Sequence, residues 1–337
     1  MPDTTGNSAI LKAFLSADGI RYGESNSYSW LTLIPLFGRR RAPFEYVLLA
    51  RAVESGDVTI EEVGGGTVPA LRLTNRGARP VLIVDGEHLV GVKQNRIVNT
   101  TILVPEKTTL DIPVSCVEQG RWSRPVAAAR PTSPALFLRT RAMKAEAVTA
   151  SVRSSGAFRA DQGAIWEGVE AMLANLRADS PTAAMDAVYE RRADDIAGYL
   201  KNLRCQAGQT GIVAAVGGQT LCADVFDRPE TLAGLWDRLI PSYAVEAMAR
   251  PRDAGTVTSA DGEAFVRGVL SASVTEHPAI GRGMDLRITN TGLVGAALAV
   301  EDTILHLALF RTDERTREPQ GVRFASVDER RGRFAGR

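Results

Sequence analysis

The sequence predicts an α+β protein: an N-terminal β-rich layer of sandwich or barrel type, a helical middle, and a C-terminal β-α-α-β part. Three observations carry this. Short apolar runs punctuated by Gly, Pro and Asn fill the first ~125 residues. Apolar residues at three- and four-residue spacing then take over. Near the C-terminus the alternation returns, in MDLRITNTGLVGAALAVEDTILHLALFR.

The elements follow in order. After a short apolar segment, Ala9 to Leu15, the run Ser29–Phe37 reads as a strand and is followed by the basic triplet Arg39-Arg40-Arg41. Tyr46 to Ala52 suits a helical turn or a strand, whereas Val58, Ile60 and Glu62 alternate as a strand. Gly64-Gly65-Gly66 predicts a turn before VPALRLTN, and Arg76-Gly77 another before PVLIVDGEHLVG. RIVNTTILVPEKTTLDIPVSCVE continues the β pattern.

From Arg124 the prolines Pro125, Pro131 and Pro134 predict an irregular connection. Helices are predicted over Ala142–Arg153 and Asp161–Leu176, and again from Ser180-Pro181 through Ala183 to Cys205. GIVAAVGGQTLCADVF reads as a hairpin turning at Gly217-Gly218. RPETLAGLWDRLIPSYAVEAM is a helix with an interruption expected at Pro241, and Thr258–Ser271 is one more. The division this suggests is an N-terminal segment (1–28), a β-rich subdomain (29–125), a Pro- and Ala-rich connection (126–160), an α+β subdomain (161–311) and a mobile charged tail (312–337). The two β-rich ends are candidates for one shared sheet.

Composition excludes several classes. Forty basic against 39 acidic residues leave a net charge of +1, so no nucleic-acid partner held by bulk electrostatics is expected. Three cysteines, Cys116, Cys205 and Cys222, are too few and too scattered for a disulfide framework. The first residues lack a signal-peptide pattern, and the run WLTLIPLF is too short to span a bilayer. A cytoplasmic protein without a membrane partner is expected. His88, His277 and His306 occur singly, so no metal site is predicted, and no motif names a cofactor. His306, in an apolar strand, reads as a satisfied core histidine. Asp194-Asp195 reads as a solvated helix face.

Two polar stretches interrupt the apolar pattern. In VDGEHLVGVKQNR, Asp85-Gly86 is read as a turn, and Lys93, Gln94, Asn95 and Arg96 lie on the return path. Two cations and two amides supply many donors, which suits phosphate, carboxylate or ribose recognition. The competing reading is a set of solvated strand ends. In IPVSCVEQGRW, alternation puts Ile112, Val114, Cys116 and Glu118 on one face. A carboxylate ending an apolar face needs a partner; Arg121, Lys93 and Arg96 are the candidates. Trp122 offers an aromatic face to a base or sugar, or else packs in the core. Cys116, strand-borne and without an adjacent His, reads as a small buried hydrophobe rather than a nucleophile.

The runs GEHLVGVKQNRIVNTTILVPEKTTLDIPVSCVEQGRW and GIVAAVGGQTLCADVFDRPETLAGLWDRLIPSYAVEAM resemble the family of ARG and rhodanese-phosphatase-superfamily-associated proteins. The resemblance covers roughly Trp30 to Phe310. It rests on Gly86-Glu87, Lys93-Gln94-Asn95-Arg96, Val104-Pro105, Cys116-Val117-Glu118 with Gly120-Arg121-Trp122, and, in the second half, Asp224, Phe226, Trp236 and Tyr243-Ala244. Val92 departs from the smaller residue often found before the lysine, which bears on how closely a ligand approaches the backbone there. The resemblance implies a role near ADP-ribose or phosphorylated-nucleotide chemistry and gives no reaction.

Three functions remain open on the sequence. In the first, the chain binds an ADP-ribose-like or other phosphorylated small molecule as an accessory to a partner enzyme of that metabolism; Lys93, Gln94, Asn95, Arg96, Arg121 and Trp122 would hold the ligand. In the second it is an enzyme on such a substrate, with Glu118 or Glu87 as general acid/base. In the third the motifs lock the two halves of an interaction module together. The first is the preferred expectation.

Overall fold

The computed structural model describes residues 6–16, 19–63, 69–91, 93–120, 129–132, 134–250 and 255–312. Helix α1 (Gly6–Phe14) leads into β1 (Ile20–Tyr22), β2 (Asn26–Tyr28) and β3 (Leu31–Gly38). The stretch around Tyr46 is both strand and helix: β4 (Val47–Leu48) runs directly into α2 (Leu49–Glu54). Then follow β5 (Val58–Glu62), β6 (Ala70–Asn75), β7 (Val81–Ile83), β8 (His88–Val90), β9 (Arg96–Val98), β10 (Ile102–Val104), β11 (Thr108–Cys116) and β12 (Arg130–Thr132). The helical middle holds α3 (Leu138–Ser155), α4 (Gln162–Asn175), α5 (Asp186–Arg191) and α6 (Ala193–Asn202). The last part is β13 (Gly211–Val216), β14 (Gln219–Phe226), α7 (Pro229–Ala249), α8 (Ser259–Arg267), β15 (Ser273–Pro278), β16 (Met284–Asn290), β17 (Leu293–Val300) and β18 (Thr303–Arg311).

The α+β class holds, and the two ends of the chain do share a sheet. Strands β1, β2 and β3 join the C-terminal strands in one nine-stranded antiparallel sheet, ordered β1-β3-β13-β14-β18-β17-β16-β15, with β2 also paired to β3. Residues 47–132 build two smaller sheets, β10-β7-β4 and β12-β8-β9-β11-β6-β5. At its edges β2 and β15 are exposed or half-buried, whereas the middle of the nine-stranded sheet is buried on both faces. Alternate residues of β3 and β13 show this: Leu31, Leu33, Ile212 and Ala214 face α3, α6 and α7, whereas Ile34, Leu36, Val213 and Ala215 face α1 and α8. Each such buried Leu, Ile or Val side chain is worth about 1.5–3 kcal/mol.

Three helix boundaries differ from expectation. Pro241 does not interrupt α7, which runs through it. Residues 239 to 247 are buried all round, and that packing outweighs one missing backbone hydrogen bond. Ser180-Pro181 does not open a helix: the Ser180 hydroxyl accepts from the Ala184 amide inside a loop, and α5 starts only at Asp186. The predicted single helix to Cys205 is thus two, broken at Arg192. Helix α8 begins at a capping box on Thr258 and ends in a 3-10 turn, Gly268–Ser271. The triple-glycine turn at 64–66 and the charged tail beyond Thr312 lie outside the described residues. No helix among the described residues is long and apolar enough to cross a membrane.

Candidate functional site

The β8–β9 hairpin and the end of β11 bring most of the predicted residues into one polar layer. Its geometry starts at Gly86, which takes φ +79° and lets the chain reverse between β7 and β8. The amide of Gly86 donates to the Val98 carbonyl, and that of Glu87 to the Val84 carbonyl. Strand β8 then pairs with β9, His88 opposite Ile97, so Lys93, Gln94 and Asn95 fall in the connecting turn. Strand β9 pairs with β11, placing Arg96 opposite Cys116.

Each candidate can be placed. Glu87 is buried; its Oε1 accepts from Arg238 Nη1 of α7 at 2.5 Å and its Oε2 from the Val84 amide at 3.2 Å. Burial pushes its carboxyl up, against the opposing pull of Arg238. Glu118 is also buried, its Oε1 accepting from the Thr182 hydroxyl at 2.9 Å and its Oε2 from the Asn95 amide at 3.4 Å. Gln94 donates to the Glu118 carbonyl at 2.9 Å. Asn95 donates to Asp186 of α5 at 2.8 Å. The Arg96 guanidinium meets Cys116 Sγ at 2.5 Å and lies 4.0 Å from Glu62. Lys93 is half-buried at the turn, its amide donating to Glu62 at 3.1 Å. Arg121 and Trp122, like Val92, lie outside the described residues.

Several members of this layer escaped the sequence reading. His88, fully buried, sits 3.5 Å from Asp186. Burial lowers its pKa to about 4, so it is neutral at pH 7. Gln162, the first residue of α4, clasps Cys116 through both main-chain groups: it accepts from the Cys116 amide and donates to the Cys116 carbonyl, each at 2.8 Å. Burial raises the Cys116 thiol, which agrees with a packing role rather than a nucleophile. The loop carrying Thr182 is pinned on the end of β11, with Gly120 donating to the Thr182 carbonyl and Met185 to that of Val117. Ala183 in this loop adopts φ +48°, a strained state for a residue with a Cβ.

A second polar cluster lies deeper. Arg141 on α3 makes a two-pronged bond to Asp224 on β14, at 2.7 and 2.9 Å. Tyr243 of α7 donates to Asp224, and His306 of β18 contacts it at 3.1 Å. Thr101 accepts from the Asp85 amide at 3.1 Å, which leaves its hydrogen for His306 Nδ1 at 2.7 Å. His306 is therefore the satisfied core histidine expected, with Phe226 stacked on its ring. Lys144, one turn beyond Arg141, is paired with Asp85 and donates to the Asn99 carbonyl at 2.9 Å. Burial lowers the Lys144 pKa to about 8, although Asp85 works in the other direction. Burial also opposes the charge on Asp224, but Arg141 and His306 together hold its carboxyl far below the usual range. The sequence signal was present: Asp224, a charge inside an apolar strand, requires a buried cation.

Two cavities, of about 490 and 360 Å³, flank the β16–β17 hairpin. None of the predicted site residues among the described ones lines either. In the polar layer the side chains of Gln94, Asn95 and Arg96, like both glutamates, are buried and engaged by protein groups, and Lys93 stands half-buried at the hairpin turn.

No curated protein and no solved structure matches the chain. A family model does, from residue 19 to residue 310, and this span contains both polar clusters and the three sheets but for Arg311, the last residue of β18. The chain belongs to the family described by that model, the ARG and Rhodanese-Phosphatase-superfamily-associated Protein domain.

Proposed function

We propose that this chain is an accessory binding protein for a phosphorylated small molecule of the ADP-ribose or nucleotide type, serving an enzyme of that metabolism. The observation that carries the reading is the convergence of Lys93, Gln94, Asn95 and Arg96 at one hairpin beside Glu118, five polar side chains drawn from two strand ends. Cations and amides in that grouping complement phosphate and ribose oxygens. Binding is preferred to catalysis because Glu87 is held by Arg238 and the Val84 amide, and Glu118 by Thr182 and the Asn95 amide. The enzyme reading draws on one fact, the upward push of burial on Glu87, a property useful in a general acid. The interaction-module reading draws on the extent of internal pairing in the layer.

A thermal-shift panel of ADP-ribose, NAD, nucleotides and sugar phosphates tests this, since a ligand stabilises the state it binds. The expected result is a rise in melting temperature with one nucleotide-like member. Lys93→Glu should abolish that rise while changing the unliganded unfolding free energy by no more than about 1 kcal/mol, as for a typical single substitution. Silence across the panel, or an unaltered response in the variant, overturns the reading. Turnover of the stabilising ligand would replace it with the enzyme reading.

A further inference from the structure

The larger cavity, about 490 Å³, lies where the tip of the β13–β14 hairpin, helix α8 and the β16–β17 turn meet. Asp261 and Phe265 line it from α8, Val257 from the residues leading into that helix, Leu293 from the start of β17 and Arg311 from the end of β18. Val257, Phe265 and Leu293 are buried and give it an apolar lining.

Two opposite charges share this cavity without meeting. Arg311 is anchored on Thr220: its Nε donates to the Thr220 carbonyl and its Nη2 to the Thr220 hydroxyl, each at 2.6 Å. These bonds use two of its five N–H donors. Nη1 has no partner among the described residues and is not buried, so it is open to a ligand. The guanidinium carbon stands 5.4 Å from the centre of the Phe265 ring. Asp261 is exposed, and the bonds it accepts, from the Thr258 amide at 2.8 Å and the Thr258 hydroxyl at 2.6 Å, both fall on Oδ2. Oδ1 remains as an acceptor. The Thr258 hydroxyl, and after it the amide, lower the Asp261 pKa, so the carboxylate is ionised at neutral pH. Asp261 and Phe265 are four residues apart on one face of α8, a rise of about 6 Å. A cation at the ring and an anion one turn before it are thus held apart, and among the described residues no ion pair joins them.

We infer that this cavity is a binding site for a free amino acid with an aliphatic side chain, its carboxylate on Arg311, its ammonium on Asp261 and its side chain on Val257, Phe265 and Leu293. A ligand with one charge leaves the other group unmatched, whereas a zwitterion gives both a charge-assisted hydrogen bond. The volume falls within the range for metabolite pockets, about 300–1,000 Å³. The anchoring of Arg311 on Thr220 before binding reduces the entropy lost when a carboxylate docks. The site shares no residue with the Lys93–Arg96 layer, so it stands or falls separately from the function proposed above.

The test is a titration of the full chain with L-leucine, read by calorimetry and thermal shift. Two analogues serve as controls: 4-methylpentanoate, which lacks the ammonium, and 3-methylbutylamine, which lacks the carboxylate. L-leucine is expected to bind at least tenfold more tightly than either. Its affinity should fall at least tenfold in Asp261→Asn and in Arg311→Gln, and stay unchanged in Lys93→Glu. Asp261→Asn keeps an oxygen that can accept from Thr258, so the helix cap survives and lost binding in that variant is not lost folding; an unliganded melting curve matching wild type checks this. No response at millimolar L-leucine, an equal response to either analogue, or unaltered affinity in either variant overturns the proposal.

Discussion

Arg141 and Asp224 form a fully buried, two-pronged ion pair that ties helix α3 to the middle of the nine-stranded sheet. Neither side chain reaches solvent, so each charge depends on the other. Asp224→Asn removes the carboxylate but leaves the guanidinium buried, with Asp85 as its remaining described ion-pair partner at 3.5 Å. We expect a loss of about 3–5 kcal/mol in denaturant unfolding. The double change Arg141→Met with Asp224→Leu should cost less than the sum of the two single changes, because no orphaned charge remains. Additive losses would show that the pair does not act as a unit.

His88 sets an acid limit on stability. Its folded pKa, about 4, lies below the ordinary 6.5, so between those values the unfolded chain binds more protons than the folded one. Stability is therefore fully present above pH 6.5 and declines as the pH falls toward 4. A shift of this size corresponds to about 3 kcal/mol at 1.36 kcal/mol per unit. Urea titrations at pH 4.5 and pH 7 should show the decline, and His88→Gln should shrink the difference between them. An identical pH dependence in the variant would remove His88 as its source.

Gly86 answers to two constraints at once. Its φ of +79° disfavours any side chain, and a Cβ there would stand 3.3 Å from the Arg141 side chain. Gly86→Ala should cost about 1–3 kcal/mol, combining left-handed strain with displacement of a buried guanidinium. Arg141→Ala in the same background should recover none of the backbone part. A change in melting temperature indistinguishable from zero in Gly86→Ala would mean that the turn relaxes freely.

Much of the architecture was legible in the amino-acid pattern. Alternation in β5, β6 and β11, the Gly217-Gly218 hairpin and the heptad-like spacing of α4 are local signals, and each produced the element expected. The polar stretches around Glu87 and Glu118 were legible for a similar reason: charges at the ends of apolar runs stand out. Their joining into one layer was not, because it depends on β8 turning back onto β9 and on β9 pairing with β11, a register that no single run contains. Gln162 and Thr182 are ordinary polar residues in sequence and become part of the layer only through α4 and the 180–185 loop.

The sequence by itself determined the class of the fold and the family, and it placed Asp224 inside an apolar strand, where a charge needs a partner. Tertiary structure decided which cation: Arg141, 83 positions away along the chain. It also carried α7 through Pro241, because burial on all sides outweighed one lost hydrogen bond. Local propensity acts over a few residues, whereas burial and charge pairing are settled only when distant segments meet.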